Sequence, residues 1–446
     1  MTTKAPSLKL LVHTILLGYE TEQWLHPWNR VPEAGSLDYI TSRAQLVEEY
    51  GFDGVFFGDC PAIVRDTLGS QGTFPYEPIT LLSALAARTS RLGLIGTLQT
   101  EFNSPYNLAR RFASLDLLSG GRAAWNAVTG FFGEENFGKE LPAPAERYER
   151  AEEYVELVLK IWSSWKPGYL APDPDKHRYY DASKIEDVNF HGRYYDAEQA
   201  STVPPSPQGR PIVVQAGGSE RGLELAGRFG EFIYAAAPTF EQGVAQVATY
   251  RQKVQAYGRS PHSVKVAPGL YAYVGATPEE ALANRAATVT DEDLLTKGIA
   301  SAQVEYSGFN FDGLSLDDEL RAEDLPTVEE IDNSARRRSR AQLFRGFATR
   351  PGATLRTFLT EVVTGTGHTN IVGSYDQVAD ELERWYRQDA ADAFVLMGTN
   401  SLQEFLGEVI PRLERKGIYD RRPDVTTFRE RLGLPEVTAG VAAVAA

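Results

Sequence analysis

The chain has a single cysteine, Cys60, in 446 residues. An intramolecular disulfide and a thiolate metal cluster are therefore both ruled out. Its histidines, His13, His26, His177, His191, His262 and His368, include no pair at HExxH or comparable spacing, so no metal centre is expected. No apolar run reaches the roughly 18 residues a membrane span needs. The opening stretch becomes apolar only at Leu8 and is interrupted by Lys9 and His13, unlike a secretion signal. A cytoplasmic location is the resulting expectation. Basic charge is also scarce: 45 Lys and Arg face 60 Asp and Glu, a net charge of −15. That balance repels phosphate backbones and anionic bilayers, so neither nucleic acid nor membrane is an expected partner. A local pocket can still be positive. Nucleotide and nucleophile signatures are missing too. Gly217 to Gly222 does not read GxGxxG, Gly365 to Asn370 ends without a third glycine, and no GxSxG elbow occurs.

What is present is a large apolar inventory. The chain is 42% hydrophobic and 11% aromatic, enough to bury a sizeable core. Short apolar runs alternate with amphipathic segments, the pattern of βα units around a parallel sheet. The runs fall at 8–17, 54–59, 91–99, 123–129, 211–217, 231–237, 264–274 and 392–398, with helical spacing at 37–50, 78–89, 105–118, 145–162, 219–229, 240–257 and 375–387. Eight strand–helix pairs predict a closed (β/α)8 TIM barrel, with an open doubly wound sheet as the alternative. Two stretches exceed ordinary βα loops: 163–210 between strands four and five, and 278–350 between strands seven and eight. The second is acidic over 315–330 and has a basic run from Arg336 to Arg340. Such long loops commonly act as lids; a solvated helix face is the plainer reading of the basic run. The expected organisation is one barrel domain over 1–435, with 278–350 as a lid and 436–446 as a flexible tail.

Polar residues at the C-terminal ends of barrel strands occupy the face where βα loops build active sites. Asp59 follows the second run, either as a site carboxylate or as a loop anchor. Asn126 and Thr129 end the fourth, suited to a polar heterocycle edge or to ordering a loop. Gly217-Gly218-Ser219 opens a helix. There, free N–H groups and glycines permitting close approach make an anion site, while Ser219 alone is an ordinary N-cap. His13 lies in the first strand, pointing into the barrel as a site residue or as a satisfied core histidine.

The run from Ser104 to Thr129, SPYNLARRFASLDLLSGGRAAWNAVT, resembles the bacterial-luciferase-like flavin monooxygenases. Its subgroup is that of nitrilotriacetate, EDTA, dibenzothiophene-sulfone and long-chain alkane monooxygenases. Phe52 to Asp59, Asn136 to Gly138, Arg147-Tyr148, Ser206 to Pro211, Gln215 to Gly222 and Asp376 to Asp380 match in the same order. The resemblance covers about residues 24–430. It implies a barrel that takes reduced FMN (FMNH2) from a separate NAD(P)H:flavin reductase. O2 would be the co-substrate, activated as a flavin peroxide to oxygenate a small sulfone, amine, aminopolycarboxylate or alkane-like molecule. It also implies a homodimer or homotetramer. Carried over position by position, it places Asp59, Thr100, Asn126 and Tyr148 around the flavin ring and ribityl chain, and Gly218 and Ser219 at the phosphate. His13 and Tyr148 are the catalytic candidates. Three positions depart from the subgroup. Gln99-Thr100-Glu101-Phe102 stands where Ser-Thr-Thr-Tyr is usual, Pro144 replaces a histidine four residues before Tyr148, and Trp24-Leu25 replaces Trp-Arg. Hydride transfer to a deazaflavin or flavin on the same barrel, and a non-catalytic flavin carrier, are the alternative functions.

Overall fold

A computed structural model describes residues 7–13, 29–63, 76–130, 133–305, 309–327, 329–330, 338–365, 367–397, 401–421 and 425–437. Trp24-Leu25, Arg336-Arg337 and the tail beyond 437 lie outside the described residues. Among those described, no helix is long and apolar enough to cross a membrane.

The apolar runs form parallel strands. They are β1 (Lys9–His13), β2 (Gly54–Phe57), β3 (Gly93–Gln99), β4 (Ala123–Val128), β5 (Ile212–Gln215), β6 (Phe232–Ala235), β7 (Lys265–Gly275) and β8 (Ala393–Leu396). Each pairs in parallel with the next, and β8 returns to β1 through Lys9 opposite Ala393, closing an eight-stranded barrel. The strands are buried on both faces, which is why they read as continuous apolar runs and not as alternation. Helices α1 (Leu37–Glu49), α2 (Pro78–Ala86), α3 (Pro105–Leu118), α4 (Pro144–Trp162), α5 (Glu220–Phe229), α6 (Phe240–Ala256) and α7 (Tyr375–Arg387) lie between strands. Their starts follow local chemistry. Pro78, Pro105 and Pro144 open helices where an N–H has no intrahelical partner to lose. Ser36, Ser219, Thr239 and Ser374 cap others.

Register separates the two faces of the barrel wall. Leu11, Phe56, Ile95, Ala124, Ile212, Val214, Phe232, Ala267, Ala393 and Val395 pack in one interior cluster. Phe428 and Leu432 of the helix Phe428–Leu432 belong to it as well. Side chains one period further along the same strands therefore belong to the C-terminal mouth.

A strand absent from the sequence-based set, Thr369–Ser374, pairs with the second half of β7 (Leu270 to Gly275) beyond the point where β6 ends. The excursion 163–210 contains two small antiparallel pairs, Leu170–Asp173 with Arg178–Tyr180 and Phe190–His191 with Asp196–Ala197. The stretch 278–350 contains the helices Pro278–Ala286, Ile299–Glu305 and Arg338–Ala348. With the helix Leu355–Gly365 it builds its own apolar cluster around Phe309, Phe311, Phe344, Phe347 and Phe358. It is thus a packed element and not a bare polar loop.

Candidate active site

The mouth is built from residues at the ends of β1 to β6. His13 ends β1 and is 4% exposed, with its ring 5.1 Å from that of Phe56 and 6.0 Å from that of Tyr234. Burial alone pushes its pKa down to about 3, so the imidazole is neutral at any ordinary pH. Gly58 and Asp59 follow β2. The Asp59 carboxyl is pushed up to about 6 by burial first and by repulsion from Glu77 second, tempered by a hydrogen bond from the Cys60 N–H.

On the neighbouring strands Asn126 donates through Nδ2 to Thr97 Oγ1 at 2.9 Å. Its Oδ1 is buried with no hydrogen-bond partner among the described residues, as are Thr100 Oγ1, Gln99 Oε1 and Gln215 Oε1. Buried polar atoms are nearly always paired, and leaving one unpaired costs about 1–3 kcal/mol. Four such atoms at the ends of three adjacent strands are what a polar ligand would satisfy. Thr100 itself is fixed by its backbone N–H, which donates to Val128 O at 2.9 Å.

The turn after β5 provides the second feature. Ser219 caps α5 by accepting the Gly222 N–H at 3.1 Å, and its Oγ lies 3.0 Å from the Tyr148 hydroxyl. The glycines here are required by close approach. A Cβ on Gly217 would collide with the Gln215 amide, and one on Gly222 would lie 2.7 Å from Gly217 O. Gly218, by contrast, has open space around it and is exposed. Backbone N–H groups at the start of a ten-residue helix, with a free approach over Gly218, can take an anion. Tyr148 sits in the first turns of α4, and its contact with Ser219 ties that helix to the α5 N-terminus.

The structure thus places Asn126 opposite Thr97 within β4 and Thr100 just past the end of the neighbouring β3, three residues further along, and Tyr148, Gly218 and Ser219 together at the α5 turn. His13 joins an aromatic group inside the barrel, and Asp59 lies at the end of β2. Pro144 is the first residue of α4, so the departure from histidine suits the helix start while removing an imidazole from the site's edge. Glu101, from the Gln99 to Phe102 departure, is buried, and burial raises its pKa against the pull of Arg150, Lys139 and Arg147. Sequence reasoning missed Gln99, Gln215, Tyr234, His368 and Met397. Period-two parity from Ile95 and Thr97 would have found Gln99. The others needed the register between strands. Two cavities lie elsewhere. One of about 570 Å³ sits on the barrel flank beside Phe240, Asn370 and Arg384, and one of about 270 Å³ lies beside Trp165 and Arg429. Neither is lined by a residue of the mouth.

The sequence profile of the luciferase-like monooxygenases matches residues 20–393. Nitrilotriacetate monooxygenase component A of Aminobacter aminovorans is 32% identical over 441 residues, covering 94% of each chain. The structure of EDTA monooxygenase from Chelativorans sp. BNC1 aligns with a TM-score of 0.78 at 30% identity, covering 97% of this chain and 100% of that one. A riboflavin lyase solved with a modified FMN and riboflavin aligns with a TM-score of 0.80 at 29% identity, covering 96% of each.

Proposed function

The chain belongs to the luciferase-like monooxygenase family and is a flavin-dependent monooxygenase, and from that premise we propose that it takes reduced FMN from a separate NAD(P)H:flavin reductase and uses O2 to oxygenate a small organic molecule. The observation that carries the FMN reading is the pairing of two features at one end of the barrel. Unpartnered Asn126 Oδ1 and Thr100 Oγ1 lie beside β3 and β4, and a helix N-terminus with an open glycine approach follows β5. The first suits the polar edge of a flavin ring and ribityl chain, the second its phosphate. Reduced flavin supplies the electrons and the reactivity toward O2 when bound. The protein's own residues hold and screen it. Asn126 and Thr100 accept or donate at the ring edge, Asp59 takes a ribityl hydroxyl or ring N–H, and Ser219 with the Gly218 backbone receives the phosphate. Tyr148 orients Ser219. His13, kept neutral by burial, serves as a flat packing surface and not as a base. The packed 278–350 element is proposed as the lid that keeps water from the reacting centre. The relatives named for nitrilotriacetate and EDTA point to aminopolycarboxylates as the first substrates to try; sulfones and alkanes come next.

The test mixes the purified protein with FMN and NADH, with and without an NADH:flavin reductase. No NADH should be consumed without the reductase, because the chain has no dinucleotide fingerprint. With it, bound reduced FMN should consume O2 and, given the right substrate, yield its oxygenated product. Rapid NADH oxidation by the chain alone would sink the two-component reading.

A further inference from the structure

A titratable cluster in the barrel mouth is not among the flavin contacts proposed above. Tyr234 lies on β6, one period beyond the interior residue Phe232. Its ring is 5.1 Å from Phe56, 6.0 Å from His13 and 5.2 Å from His368. The hydroxyl is 3.2 Å from His368 Nε2 and donates to Met397 Sδ at 2.8 Å. His368, 6% exposed, lies just before the strand Thr369–Ser374 and against Gly269, where a Cβ would collide with its ring. Among the described residues, the groups facing Tyr234 include His13 from β1, Phe56 from β2, Met397 after β8 and His368, with Tyr271 of β7 behind it at 6.5 Å from His368.

A phenol has one proton, and a thioether is a weak acceptor. An O–H aimed at Met397 Sδ is therefore readily turned to a stronger acceptor. While it points at sulfur, the contact with His368 requires Nε2–H to donate to the phenol oxygen. A donor held on a weak acceptor, with a second donor behind it, is arranged to release a proton and be stabilised as the phenolate. His13, kept neutral by burial, has no imidazolium proton with which to compete as the acid.

Oxidation of anionic reduced flavin by O2 consumes one proton on either path. Without substrate, FMNH⁻ + O2 + H⁺ gives FMN + H2O2. With a substrate S, S + FMNH⁻ + O2 + H⁺ gives SO + FMN + H2O. We propose that Tyr234 is the catalytic acid that delivers this proton to the departing oxygen, and that His368 is the positioning residue whose Nε2–H holds and stabilises the phenolate until solvent returns its proton. The proposal rests on the reduced-FMN reading.

Because the substrate-free path needs the same proton, the test needs no substrate. Reduced FMN bound to the full-length protein is mixed with aerated buffer, and its reoxidation is followed across about pH 6–9, alongside FMN affinity measured separately. Wild-type reoxidation should be nearly flat with pH. In Tyr234→Phe it should slow by roughly 10²-fold and fall as pH rises, because the proton then comes from solvent, while FMN affinity stays within about threefold. His368→Gln should show a smaller loss with the same pH trend. As a readout independent of turnover, the ultraviolet signal of the Tyr234 phenolate (wild type minus Tyr234→Phe) should appear at higher pH in His368→Gln. Wild-type protein that fails to bind FMN would overturn the functional reading. Wild-type binding with an unchanged rate and pH profile in Tyr234→Phe would overturn the acid alone, as would loss of FMN binding by that variant. If Tyr234→Phe does not fold, an unchanged pH profile in His368→Gln overturns the proposal.

Discussion

Ser219 Oγ can donate only one hydrogen, and it already accepts from the Gly222 N–H and contacts the Tyr148 hydroxyl. If an FMN phosphate takes that hydrogen, Tyr148 O–H must donate to Ser219 Oγ, making the two residues one unit. Removing one charge-assisted hydrogen bond costs roughly 1.5–3 kcal/mol, or about ten- to a hundredfold in affinity. Ser219→Ala should therefore weaken FMN by that factor in a fluorescence titration and leave riboflavin, which has no phosphate, nearly unchanged. Equal weakening of both flavins would mean Ser219 is only a helix cap. Asp59 carries a different kind of prediction. Its carboxyl is raised to about 6 in the folded chain, against about 3.9 in an unfolded one. The folded state therefore favours the protonated form. The resulting stability is fully present below about pH 4 and lost as pH rises through about 6. Urea unfolding of wild type and Asp59→Asn should show the wild type losing stability relative to the variant over that window. A constant difference between them would mean the carboxyl is not perturbed.

At the scale of elements, the eight barrel strands were legible to within a few residues, because a parallel strand covered on both faces is a short, unbroken apolar run. The helices were legible from their caps and spacing, as at Ser374 and Val378 to Leu382. Thr369–Ser374 was not, because Thr-Asn-Ile-Val-Gly-Ser has too little apolar content to stand out. The cluster within 278–350 was hidden for a related reason: Phe309, Phe311, Leu316 and Leu320 follow no single period. Candidate site residues split the same way. Asn126 and Ser219 could be read because strand ends and helix starts mark themselves. Tyr234 and His368 are 134 positions apart and meet through the register of β6 with β7 and of β7 with the strand Thr369–Ser374. The interlocked phenylalanines carry a prediction for the packing of the proposed lid. Phe358 is 1% exposed between Phe311 and Phe344, and truncating such a ring costs about 3–5 kcal/mol. Hydrogen exchange over 355–365 should be slow even without flavin. Phe358→Ala should speed exchange there while β1 to β4 stay protected. Equal loss of protection in the barrel strands would mean that the insertion and the barrel unfold as one unit.

For the whole molecule, the two ends of the barrel divide stability from function. The N-terminal end is closed by the helix Phe428–Leu432. The Phe428 ring fills space left by two glycines, since a Cβ on Gly93 would collide with it and one on Gly54 would come within 3.2 Å. Buried ion pairs join this segment to the strands: Arg429 with Glu231, which also pairs with Arg210, and Arg431 with Asp53. Burial alone would raise the Glu231 carboxyl, but Arg210 and Arg429 hold it well below the usual carboxylate range. At the other end, Asn126 and Thr100 contribute unpaired polar atoms, which stabilise nothing until a ligand arrives. Opposite outcomes follow for changes at the two ends. Phe428→Ala should lower unfolding free energy by about 3–5 kcal/mol yet leave FMN affinity of the folded protein within about threefold. Asn126→Ala should lower FMN affinity by about tenfold with a stability loss well below that of Phe428→Ala, because the lost Nδ2 bond to Thr97 Oγ1 is partly offset by removing an unsatisfied Oδ1. Urea unfolding and flavin titration on both variants decide the matter. If Phe428→Ala weakens FMN as much as Asn126→Ala does, the ends are coupled and the mouth depends on the packing beneath it.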